Sequence, residues 1–199
     1  MAETSLQRRL RRLPLRAQVA FAARCARRVQ PLATRLSDDP ANHEAVERAI
    51  RVAEQLARGD RVTPVEAESA YEGARDAVRA AWDAGDPTAS RARDAAAYAA
   101  QAASYASQGP RLGPAANASR AAFYAYNDSS DAANVVKARA AFDAAASSNL
   151  TKLARLKLGA FPKLGDPIDP SESGPLGPLW PKGAPEGWSD DRTTDQGID

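Results

Sequence analysis

The chain has 199 residues, 46 of them alanine, a formal net charge of +2 and a single cysteine, Cys25. This length suits one domain, or one domain with an appendage, and the near-balance of charge excludes a composition kept unfolded by self-repulsion. One cysteine excludes an intramolecular disulfide and a multi-cysteine zinc site and fits a reducing cytoplasm, and no run reaches the ~18–20 apolar residues of a membrane span.

Leu, Ile, Val and Phe total only 31 residues, below the ~20% that usually separates folded from disordered chains. Alanine at helical spacing compensates, because small side chains let helix axes approach closely. The expected fold is all-α: an antiparallel stack of about six to seven alanine-rich helices over residues 1–159, followed by an extended Pro/Gly-rich acidic tail over 160–199 packed on the helices. Residues 1–36 carry nine arginines against one acid, and residues 160–199 carry eight acids against three bases. The two ends should therefore attract, with the acidic tail lying across a basic helical face.

Residues 1–13 share the arginine-rich, acid-poor character of a transit peptide. The simpler reading is a short amphipathic helix, with Leu6, Leu10 and Leu13 on one side and Arg8, Arg9, Arg11 and Arg12 in water. A long helix then starts at Pro14 and runs to about Leu36, where Leu15, Val19, Ala22, Ala26, Val29 and Ala33 form one buried stripe. Pro31 predicts a kink or break near residues 28–30.

Three similar marks follow: Asp39-Pro40, Thr63-Pro64 and Asp86-Pro87. Each is a helix start, since the Asp or Thr oxygen accepts from a free first-turn amide and proline has no N–H to leave unpaired. Gly59, Gly85 and Gly109 close the intervening segments. The helices so bounded cover about 40–58, 64–84 and 87–108, the second with a capping box from Thr63 to Glu66. In the third, Tyr98 and Tyr105 are the only large anchors.

A fifth helix begins near Pro114, with Asn127-Asp128 predicting an interruption. A sixth runs from about Ser130, with a break expected at Ser147-Ser148-Asn149 before Leu150 and Leu153. After Gly159 the helical period stops and seven of the fourteen prolines follow. Leu176, Leu179, Trp180 and Trp188 do not belong in a free linker, so the segment 174–181 should lie against the helices.

Catalytic and ligand-binding signatures are sparse. His43 is the only histidine, and near a helix start it reads as exposed or capping rather than as a general base. Cys25 reads as a buried thiol with nothing to activate it. Asp38-Asp39 and Asp190-Asp191 lack calcium-loop spacing, and no phosphate-binding glycine loop is present. The expectation is no enzyme activity, no cofactor and no metal. Arg8, Arg9, Arg11, Arg12 and Arg16, extended by Arg24, Arg27 and Arg28, form a basic surface that could touch phosphates, but aromatic residues are not interleaved for stacking.

The segment from Ala22-Ala23-Arg24-Cys25 to Gln30-Pro31-Leu32, the acidic turn Asp38-Asp39-Pro40, the run Ala45-Val46-Glu47-Arg48-Ala49-Ile50 and the alanine-dominated region beyond together resemble the Imm5-like bacterial immunity proteins of polymorphic toxin loci, over residues 15–145. The resemblance implies an all-helical protein without catalytic residues that docks on a toxin or effector and blocks it. A protein partner is therefore expected, through Tyr98, Tyr105, Tyr124, Tyr126, Trp180 and Trp188, because rigid aromatics supply much of the energy of protein contacts. The alternatives are a nucleic-acid-binding protein using the N-terminal arginines and a self-assembling scaffold, a homo-oligomer. No membrane partner is expected.

Overall fold

Asp39, Thr63 and Asp86 each cap a helix whose first residue is proline. The computed structural model describes residues 4–34, 39–186 and 188. Within them lie α1 (Ser5–Leu10), α2 (Leu15–Thr34), α3 (Pro40–Arg58), α4 (Pro64–Asp83), α5 (Pro87–Ser107), α6 (Leu112–Val135) and α7 (Arg139–Arg155), with no strand among the described residues. The Asp39 carboxylate accepts from the Ala41 N–H at 2.9 Å, Thr63 Oγ1 from Glu66 N–H at 3.1 Å, and Asp86 Oδ1 from Thr88 and Ala89 N–H at 3.0 and 2.9 Å. The reciprocal capping box is found at Thr4 and Gln7. Gly59 closes α3 at φ +96°, and a Cβ there would also meet Pro167 Cγ at 2.8 Å, so glycine is required both by conformation and by contact.

Successive helices are antiparallel, as their cross-links reveal: along α5, rising residue number is matched by falling number on α4 (Asp94 with Arg75, Ser104 with Glu68). The same holds between α5 and α6 (Arg91 with Asp128, Tyr98 with Tyr124). Helices α2 and α5 form the centre. The stripe expected on α2, with Phe21, Cys25 and Leu32 widening it, is buried, and the structure extends it: Ala17, Ala20 and Ala23 are fully buried as well, because α3, α5, α6 and the tail pack around most of the helix. Its alanines admit neighbours on every side, each buried carbon contributing about 0.8 kcal/mol.

Three expected breaks do not occur. Helix α2 continues through Pro31 to Thr34, the burial of Val29, Leu32 and Ala33 outweighing the one backbone bond lost; Leu36 lies outside the described residues. Helix α6 passes through Asn127-Asp128 because Asp128 turns inward to Arg91. Helix α7 passes through Ser147–Asn149 because Asn149 is buried against two arginines of α2. The actual break falls between α6 and α7, where Lys137 takes φ +59°. Leu10 and Leu13 are buried and Leu6 packs on the core, as expected for the N-terminal amphipathic helix.

The tail packs on the helices from Lys163 to Trp188. The first-turn amides of α2, Leu15 and Arg16, donate to the carbonyls of Lys163 and Leu164 at 2.9 and 2.8 Å, and Ile168 N–H donates to the Ala57 carbonyl at 2.7 Å. Leu176 is fully buried and Trp188 is 4% exposed. Among the described residues the only ion pair between tail and helices is Arg58–Asp169 at 3.4 Å, and the main grip is arginine on backbone carbonyls. Residues 189–199, with Asp190 and Asp191, lie outside the described residues.

Candidate functional site

Between its two ends helix α5 leaves uncovered one stripe at helical spacing: Arg91, Asp94, Tyr98, Gln101 and Tyr105. Between them Ala95, Ala96, Ala97, Ala99, Ala100, Ala102 and Ala103 are buried. The short alanine face packs closely against α4 and α6, and several larger side chains of these helices, Tyr71, Tyr98, Tyr105 and Tyr124 among them, remain partly exposed on the outer side. Tyr98 meets Tyr124 of α6 with ring centroids 5.2 Å apart, and Tyr124 meets Phe123 at 6.1 Å. Tyr105 and Tyr124 line a shallow depression with Gln101, Asn117, Arg120 and Ala121. Tyr71 of α4 borders the same face, close enough for its hydroxyl to interact electrostatically with Tyr105.

Ion pairs frame these rings. Arg75 donates to Asp94 at 2.6 Å, and Arg91 donates to Asp128 at 3.0 Å with Asp131 at 3.8 Å. Burial raises the Asp94 carboxyl despite Arg75, and pushes Asp128 up to about 6 despite the bond from Arg91, with Asp94 and Asp131 adding repulsion. Burial also raises the phenols of Tyr71 and Tyr98. At the ends of α4 and α6 Val65, Trp82, Leu112 and Val135 are exposed.

The six expected aromatic contact residues therefore divide. Tyr98, Tyr105 and Tyr124 converge on one face, with Tyr124 41% exposed. Tyr126 turns inward instead, stacked on Phe21 at 6.3 Å and beside Phe142 at 5.8 Å, its hydroxyl donating to Asp143 at 3.0 Å and its pKa pushed up to about 12 by burial and that carboxylate. Trp188 is likewise turned inward, 4% exposed with its indole bonded to the Arg28 carbonyl of α2; Trp180 packs edge-on against it at 5.0 Å and is half-buried.

The basic residues divide as well. Arg8, Arg9, Arg11 and Arg12 are exposed. Arg16 is not presented to solvent as expected: Nε donates to the Leu56 carbonyl at 3.3 Å and Nη1 to Gly165 at 2.8 Å. Arg24 and Arg28, placed by sequence on a phosphate-facing surface, are buried. Arg24 donates through Nη1 to Pro170 and Ser171 carbonyls at 2.9 and 3.1 Å, and through Nη2 to Gly177 and Pro178, both at 2.7 Å. The Asn149 amide oxygen, oriented by the donors around it, accepts from Arg24 Nε at 2.9 Å and Arg28 Nη2 at 2.8 Å. All five Arg24 donors are thus used, and burial pushes its pKa down to about 10.

Cys25 is fully buried, its thiol pushed up to about 12 by desolvation. His43 is half-buried in the first turn of α3. Among the described residues no group of three or more His, Cys, Asp or Glu is placed to hold a metal, and no helix is long and apolar enough to cross a membrane. Tyr71, Gln101, Asn117 and Arg120 were not anticipated from sequence. The four-residue spacing of Tyr71 and Arg75 on α4 and of Arg120 and Tyr124 on α6 carried that signal.

No family model, curated protein or solved structure matches the chain. The reading of the face therefore rests on its chemistry: half-exposed tyrosines on rigid helices, bordered by arginine and amide side chains, with no nucleophile–base pair within it.

Proposed function

We propose that the protein is a non-catalytic binding module that docks on a protein partner through the α4–α5–α6 face, acting as an immunity or regulatory protein that neutralises a toxin or effector in a bacterial conflict system. The single observation behind this reading is the convergence of Tyr98, Tyr105 and Tyr124 on one outer face. Tyrosine and arginine are enriched at protein interfaces because they supply large rigid area with a polar tip at low entropic cost. Presentation from packed helices rather than loops adds preorganisation, so little ordering opposes association. The resemblance of residues 15–145 to immunity proteins points the same way. The nucleic-acid alternative draws less support, since Arg16, Arg24 and Arg28 are bonded to protein carbonyls.

The test is co-expression with the product of the neighbouring gene. Rescue of growth and a one-to-one complex are expected, and the double variant Tyr98→Ala, Tyr124→Ala should lose both while its circular dichroism is unchanged. Rescue by the double variant at full strength, or no rescue by the parent chain, overturns the proposal.

A further inference from the structure

A second feature lies away from the tyrosine face. Where the turn between α1 and α2 meets the end of α7, a cleft of about 390 Å³ opens, within the ~300–1,000 Å³ of small-molecule sites. Its floor is aliphatic, with Leu13, Leu150, Leu153 and Leu156, and its charged rim residues are all cations: Arg9, Arg12 and Lys157. Arg9 is steadied by a bond from Nη2 to Thr151 Oγ1 of α7 at 3.1 Å. The side chains of Arg12 and Lys157 make no hydrogen bond or ion pair among the described residues. Three cations drawn from two segments about 150 residues apart are gathered over leucine, and no acid lines the cleft among the described residues.

We infer that this cleft binds a single-chain anionic amphiphile, with a carboxylate or phosphate head held by Arg9, Arg12 and Lys157 and an aliphatic chain laid on the leucine floor. The chemistry of the lining selects this class. Nucleic acid would need stacking surfaces, and no aromatic side chain lines the cleft. A peptide would need acceptors and donors for its backbone, whereas the polar side chains of the lining are the three cationic ones. One anionic head and one apolar body match both halves of the site. This inference is independent of the tyrosine face, so either can fail without the other.

The probe is dodecanoate below its micelle concentration, titrated calorimetrically into the full chain. Saturable binding at one per chain is expected, with dodecanol and acetate each binding far more weakly. Arg12→Ala combined with Lys157→Ala should weaken binding by about fivefold or more, on the scale of a lost charge-assisted hydrogen bond. Ala154→Phe, which fills the cleft from an exposed position on α7, should abolish binding, with thermal melts establishing that both variants fold. No saturable binding overturns the inference, as does equal affinity for dodecanol or unchanged affinity in the folded variants. Binding confined to phosphatidylglycerol vesicles, or preferential salt-sensitive binding of a DNA oligonucleotide, overturns it in favour of a membrane or nucleic-acid surface.

Discussion

The indole of Trp188 donates from Nε1 to the main-chain carbonyl of Arg28 at 2.7 Å, inside the protein, while Arg28 Nε donates back to the Leu179 carbonyl at 2.8 Å. The tail and the central helix thus exchange hydrogen bonds in both directions. Between these two bonds Trp180 packs on Trp188 and lies 5.9 Å from the Arg28 guanidinium carbon. A segment without helix or strand gains its order here from a buried aromatic plug and charged donors, not from its own backbone pattern.

Trp188→Ala should therefore cost about 3–5 kcal/mol, the usual range for emptying a buried tryptophan site. Trp188→Phe keeps most of the apolar contact and loses one hydrogen bond, so about 1–2 kcal/mol is expected. Urea denaturation monitored by helical circular dichroism gives both values. Limited proteolysis should cut residues 160–188 rapidly in the alanine variant only. Equal stability of the alanine variant and the parent would remove the tail from the cooperative unit.

Arg24 supports a sharper expectation. Its planar fork meets five acceptors at once, four of them carbonyls of the tail. Arg24→Ala leaves those five acceptors without their donor, the Pro170 carbonyl and the Asn149 amide in buried surroundings, and should destabilise by about 3–5 kcal/mol. Arg24→Lys should recover little, because an ammonium has three donors and no fixed plane. Full recovery of the denaturation midpoint by lysine would mean that charge alone, rather than the fork, holds the strap.

Much of the helical frame was legible because its punctuation is local. Asp39-Pro40, Thr63-Pro64 and Asp86-Pro87 act through bonds within one turn, and the bounds of α3 follow from them. Polar residues inside helices were less readable. Asp128 and Asn149 resemble helix breakers in sequence, yet each is satisfied by an arginine from another helix, and such tertiary pairing leaves no local trace. The α6–α7 break had no glycine or proline to announce it. Of the tyrosine face, Tyr98 and Tyr105 were visible from their seven-residue spacing and Tyr124 as an aromatic of α6, whereas Tyr71, Asn117 and Arg120 join them only through helix order. Arg24 and Arg28 were misplaced for a plain reason: charge usually marks a solvated face, and here the covering chain supplies carbonyls that solvate it.

The alanine packing gives a volume test. Ala100 is fully buried on α5, a helix packed against α2, α3, α4 and α6. Ala100→Leu should destabilise by about 1–3 kcal/mol through overpacking, although leucine has good helix propensity and more apolar area to bury. Ala100→Gly should cost about 1 kcal/mol for propensity alone. Thermal melts decide the matter: a leucine variant more stable than the parent would mean that the helices are separated enough to accept it.

The pH dependence of stability carries the signature of Asp128, the buried acid beside the tyrosine face. Its ordinary value is 3.8 and in the folded protein it is pushed up to about 6. The groups facing it are Arg91 and Asp94 from α5 and Asp131 from its own helix; Arg91 opposes the rise and the two carboxylates reinforce it. A carboxyl raised on folding binds its proton more tightly in the native state, so its favourable contribution is fully present below pH 3.8 and is lost as pH rises through about 6. The span corresponds to roughly 2–3 kcal/mol. Asp128→Asn keeps an acceptor for Arg91 without the charge. The difference in unfolding free energy, variant minus parent, should rise between about pH 4 and pH 6 and level off above it. Other carboxylates act in the opposite sense, Glu47 being lowered by its bonds from Arg27 and Gln30, and taking the difference between the two chains cancels them. A difference that stays flat over this interval would place the Asp128 carboxylate in a solvated setting, with Arg91 compensating it fully.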